Sequence, residues 1–213
     1  MQGLSHLQIC FLGPENSLSF LQKNLESMGS MFEILGDQCW EGKDDQLADS
    51  FFKNWRGDIS EEEVEKIENH GTILYVTPKE CSAPYLDIAV EALQMIQFML
   101  GNGAIAAKIC GSDMVYNVES WQKIAQEATE LVERGDRHQL FHVCSSAFVR
   151  RGIESDYCYE TTGYHFLGLP EIYIPMETID ALEILAQTEQ LAEEIWERGI
   201  DTIQETYNAE WSE

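Results

Sequence analysis

The chain has 213 residues, with 38 Asp and Glu against 13 Lys and Arg, for a formal charge of −25. A field of that sign repels nucleic acid phosphates and anionic lipid, and no run approaches the ~18 uninterrupted apolar residues of a membrane span. The 44% hydrophobic share suffices for a buried core, and the length suits one domain.

In chain order, Leu7 to Leu12 reads as a first strand closed by Gly13 and Pro14, with no basic segment or small-residue cleavage site before it. Asn16 and Ser17 cap a helix running to Met28, and Phe32 to Trp40 reads as a second strand. Residues 41–57 interleave Phe51, Phe52 and Trp55 with charges and carry no clear period. Ser60 followed by Glu63 is a capping box that opens a helix ending at His70 and Gly71. Thr72 to Thr77 is a continuous apolar run of the kind found inside a sheet. The helix from Tyr85 to Leu100 is apolar around more than one stripe, so it is expected to be buried on several sides. Ala104 to Cys110 is another strand, Gly111-Ser112-Asp113 begins a loop, and Asn117 caps a helix from Val118 to Arg134.

Beyond Gly135 the pattern predicts a meander: a strand over Gln139 to Arg150, a turn to Ser155, a partner over Asp156 to Phe166, and a short strand over Glu171 to Pro175. A long helix is expected from Thr178 to Tyr207. Its inner side carries Ile179, Leu182, Leu185, Ala186, Leu191, Ala192, Ile195 and Ile203, with Asp180, Glu183, Glu194, Glu197, Asp201 and Glu205 outward. This order implies an α+β fold: a mixed β-sheet with helices packed on it, then an antiparallel meander and a C-terminal helix.

The segment Thr161-Thr162-Gly163-Tyr164-His165-Phe166-Leu167-Gly168-Leu169-Pro170-Glu171-Ile172 resembles the T-x-G…F-G-x-P-E-I signature of a bacterial family catalogued as domain of unknown function 4261. Leu167 stands where that family carries an aromatic residue. The resemblance spans roughly residues 70 to 200, leaving the first 70 unassigned, and implies a fold more than an activity.

Candidate sites follow from residue type. Glu171 places a carboxylate at a strand end, and Thr161, Thr162 and Gly163 present hydroxyls and an N–H that suit an anion. Each has a structural counterpart, a glutamate anchoring a turn and a glycine marking a close backbone approach. His142 and Cys144, two apart on the expected strand, share a face, with Cys144 opposite Thr161 and His142 opposite Gly163. Plain sheet packing is the competing reading. The histidines (His6, His70, His138, His142, His165) are read as offering no H-x-x-x-H or other metal-ligand spacing, and no metal or cofactor is expected. Six cysteines without a C-x-x-C fit reduced thiols in the cytoplasm.

The leading expectation is a non-enzymatic module that docks a basic protein, as inhibitors, immunity proteins and nucleic-acid mimics do. Glu183, Glu194, Glu197 and Asp201 would steer, and Trp40 and Trp55 would anchor. An enzyme centred on Thr161, Thr162 and Glu171, with His142 or Asp113, is the second reading. A scaffold subunit or homo-oligomer is the third.

Overall fold

The computed structural model describes residues 7–176 and 183–199. Strand β1 (Gln8–Gly13) is covered on both faces, because Ile9 and Phe11 point one way and Cys10 and Leu12 the other, and all four are fully buried. A run apolar on both faces belongs inside a sheet. Strands β5 (Thr72–Pro78) and β6 (Ala106–Cys110) flank β1 antiparallel, pairing Ile9 with Val76 on one side and with Ile109 on the other. Outward from β5 lies β2 (Phe32–Ile34); outward from β6 lie β7 (Met114–Tyr116) and then β4 (Trp55–Arg56). β3 (Trp40–Glu41) also pairs with β5, giving a seven-stranded sheet. The β4–β7 pair is parallel and the others antiparallel, so the sheet is mixed.

Each face has its own core. Leu7, Ile9, Phe11, Leu74, Val76, Ala107 and Ile109 pack with α1 (Leu18–Met28), α4 (Tyr85–Gly101) and α5 (Val118–Arg134). Cys10, Leu12, Ile73, Ala106 and Val115 pack under α2 (Asp45–Phe52) and α3 (Glu61–Glu68) through Ala48, Phe51 and Ile67. Residues 41–57, unreadable by period, therefore supply half the cover of the second face.

The capping box of α3 is formed as expected: Ser60 Oγ accepts from Glu63 N at 3.2 Å and Ser60 N donates back to Glu63 Oε2 at 3.0 Å. Ser60→Ala should lower stability by about 1 kcal/mol, read as an unchanged denaturant slope with an earlier midpoint. Helix α1 is capped differently. Ser17 makes no side-chain cap, and the carboxylate of Glu41 accepts from Leu18 N at 2.7 Å instead.

Four expectations are corrected. Residues 139–148 are not a strand but helix α6 (Arg137–Phe148), started by Asp136, whose side chain accepts from Gln139 N at 3.1 Å. The alternation of Phe141 and Val143 suggested a strand, whereas the buried set Leu140, Phe141, Val143, Cys144, Ala147 and Phe148 also satisfies the helical i, i+3, i+4, i+7 pattern, and packing on α5 decides between them. The meander exists, but as β8 (Arg150–Glu154), β9 (Cys158–Thr162) and β10 (Tyr173–Pro175), a three-stranded antiparallel sheet. The stretch from Phe32 to Trp40 is broken by a single 3-10 turn, Gly36–Gln38. The loop after Cys110 is a tight hairpin turn into β7.

The described part of the last helix, α7 (Ile184–Arg198), buries Ile184, Thr188, Ala192 and Ile195, while Leu185, expected inside, is 53% exposed. The expected ends of this helix lie outside the described residues, as do His6, Ile179, Asp180, Leu182, Asp201, Ile203 and Glu205. Among the described residues no helix is long and apolar enough to cross a membrane.

Candidate functional site

Glu171 sits at the centre of a turn that joins β9 to β10. Its Oε2 accepts from Thr161 Oγ1 at 2.8 Å, and its Oε1 from Gly163 N at 2.8 Å and His165 N at 3.3 Å, with His165 Nδ1 at 2.5 Å. Thr161 Oγ1 in turn accepts from Ile172 N at 2.9 Å. Burial raises the Glu171 carboxyl pKa, but bonds from His165, Gly163 and Thr161 outweigh it and hold the pKa below the ordinary glutamate range. The carboxylate is thus occupied by the chain's own donors. Thr162 lies apart, its hydroxyl donating to the Gly111 carbonyl at 3.5 Å.

The helical α6 separates the other candidates. Thr162 pairs with Arg150 and Glu160 with Ile153, so neither Cys144 opposite Thr161 nor His142 opposite Gly163 holds. Cys144 is fully buried, and burial pushes its thiol up to about 12. At neutral pH it is a small hydrophobe and no nucleophile. Asp113, at the β6–β7 turn, pairs with Lys108 at 2.6 Å on the far face of the sheet.

His142 points instead toward α7. Its Nδ1 lies 3.2 Å from Glu189 Oε1 and its Nε2 3.7 Å from Glu193 Oε2. His138, one turn earlier, contacts Glu193 Oε1 through Nε2 and lies 3.9 Å from Glu197 Oε1. Arg151 on β8 reaches Glu189 Oε2 at 3.7 Å and donates to Ser145 Oγ at 2.6 Å. Phe141 and Trp196 stack at 4.8 Å with planes 12° apart, which fixes α6 against α7 beside these groups. An open cleft of about 490 Å³, walled by Arg56, Tyr116, Arg151 and Ile184, adjoins the seam.

No family model, curated protein or solved structure matched the chain.

This seam is what sequence reasoning missed. His138 and His142 stand four apart, an H-x-x-x-H spacing. On a strand such residues would be ~13 Å apart, whereas on a helix they stack on one face, and these rings lie 4.8 Å apart. Glu189, Glu193 and Glu197 repeat the same spacing on α7. The expectation of no H-x-x-x-H spacing is thereby corrected: His138 and His142 have it, and helix α6 puts both rings on one face.

The residues expected to meet a partner divide. Glu183 and Glu197 are exposed on α7, while Glu194 is half-buried and accepts from Gln190 Nε2 at 3.2 Å. Trp40 stays exposed on β3, whereas Trp55 packs into the core beneath α2. Tyr157, in the turn just before β9, and Tyr173, on β10, are further exposed aromatics.

Proposed function

We propose that the protein is an acidic interaction module that docks a basic protein partner, of the inhibitor, immunity-protein or nucleic-acid-mimic type. The observation that carries this reading is the unneutralised exterior. The cations Lys66, Lys123 and Arg134 are spent on carboxylates of their own helices, Glu62, Glu119 and Glu130, and Lys43 on Asp45. The sequence carries a net charge of −25, and a field of that sign steers a cationic surface toward productive encounter. The exposed Trp40, Tyr157 and Tyr173 offer aromatic area for the short-range part of binding. Kinship with the family of domain of unknown function 4261, supported by the Thr161 to Ile172 signature, and a cytoplasmic location, supported by six free thiols, belong to the same proposal.

A paired charge reversal tests it. The partner recovered with the native protein would be measured against Glu183→Lys/Glu194→Lys on α7 and against Glu61→Lys/Glu65→Lys on α3, which change the net charge equally. The α7 pair should weaken binding by roughly 100-fold, and the α3 pair by only a few-fold. Wild-type affinity should drop at least about tenfold between roughly 50 and 300 mM salt. Equal losses from both pairs would mean bulk charge without a docking face, and a salt-insensitive affinity would sink the proposal.

A further inference from the structure

We propose that His138, His142 and Glu193 form a binding site for a first-row divalent transition-metal ion of the zinc type, held in the seam between α6 and α7. One ligand atom from each of the three residues lies within 4.8 Å of the others. Donors ~2.1 Å from a shared tetrahedral ion stand ~3.4 Å apart, so His142 Nε2 and Glu193 Oε2 at 3.7 Å are already near ligating separation. His138 Nε2 contacts the other oxygen of the same carboxylate, and a small rotation about its side chain brings the third donor in.

The surrounding groups are those a metal-bound imidazole uses. When His142 donates its Nδ1 proton to Glu189 Oε1 at 3.2 Å, Nε2 is left with its lone pair toward Glu193. Arg151 steadies Glu189 from behind at 3.7 Å. This carboxylate–imidazole arrangement fixes tautomer and ring orientation, the outer-shell support that ligating histidines carry. Glu197, 3.9 Å from His138 Nε2, stands ready as a fourth donor, or leaves that position to water. The Phe141–Trp196 stack holds the two helices together by apolar contact, so the donors are positioned without the ion's help.

Two imidazoles and a carboxylate select the chemistry. Such a set suits zinc, cobalt or nickel, whereas magnesium and calcium prefer oxygen throughout. The competing account of the same contacts is a ladder of protonated histidines paired with glutamates. In that state the ring nitrogens carry protons and offer no lone pair to an ion, so the two accounts differ in a measurable way.

The full chain would be titrated with Zn²⁺ by calorimetry in excess Mg²⁺, which occupies the many nonspecific carboxylates, and with Co²⁺ by visible absorption. One saturable site is expected, with the intense visible bands of four-coordinate cobalt. His138 is half exposed, so His138→Ala should leave the fold intact by circular dichroism while removing the site. Glu189→Gln, which touches no ion, should weaken binding ~10- to 100-fold. Cys81→Ser, at the exposed thiol, should change nothing. Absence of a zinc site above the magnesium-competed background, or a site that survives His138→Ala combined with His142→Ala, overturns the proposal.

Discussion

Replacing Glu171 by alanine is expected to lower the unfolding free energy by about 3 kcal/mol at pH 7, because donors on Thr161, Gly163 and His165 lose their common acceptor. Half-buried donors recover only part of that loss from water. Glu171→Gln keeps one carbonyl acceptor and should cost about half as much. The effect carries a pH signature. The folded-state pKa of Glu171 is depressed, so its contribution is fully present above the unfolded glutamate value of ~4.3 and is lost as pH falls through the folded value. The stability gap between wild type and Glu171→Ala should thus stay constant from neutrality to roughly pH 5.5 and narrow on further acidification. A gap that persisted undiminished to pH 3 would remove the ionised carboxylate from this account.

Gly163→Ala should be costlier still, about 4 kcal/mol or outright failure to fold. Gly163 has φ +117°, a region L-residues rarely adopt, and an added Cβ would sit 2.3 Å from the Phe148 carbonyl oxygen and 3.0 Å from Val149 Cα. Both obstacles are backbone at the end of α6, so no side chain can rotate away to relieve them. Denaturant melts of the two variants and their combination would show a combined loss smaller than the sum. Each breaks the same N–H to carboxylate bond of 2.8 Å. Simple additivity would separate the glycine's steric role from the turn that Glu171 holds.

These two residues also mark where the sequence was legible and where it was not. Local signals were reliable: the Ser60–Glu63 capping box, the Asn117 cap with Ser120 N at 2.7 Å, and the apolar run of β5 all rest on neighbours in sequence. The mixed sheet with helices packed on it followed from the order of such segments, whereas the cover of both its faces did not. What failed was long-range. The apolar residues of α6 fit two periods, and only packing against α5 decides between them. β3 and β4, two residues each, are too short to leave a pattern and exist through their ladders to β5 and β7. The facing of α7 held at Ala192 and Ile195 and failed at Leu185 and Ala186, which are exposed, while Glu189 and Glu193, which the pattern assigned to neither face, find cationic or imidazole partners on α6 and β8. The clamp on Glu171 draws its donors from residues six to ten positions back, brought near by a 3-10 turn (Tyr164–Leu167) that no periodicity announces.

The place of β1 between β5 and β6 has a consequence for biosynthesis. Both neighbours of this strand, which join Ile9 to Val76 and to Ile109, are translated long after it. A nascent chain ending near residue 70 carries an apolar ribbon, Ile9 to Leu12, with neither flank hydrogen-bonded. Such non-local pairing makes the folding step slow and leaves the ribbon open to chaperones or to other nascent copies meanwhile. The sheet can close around its middle strand only once Cys110 has cleared the ribosomal tunnel, so the emergence of β6 sets the earliest moment at which this molecule holds its shape.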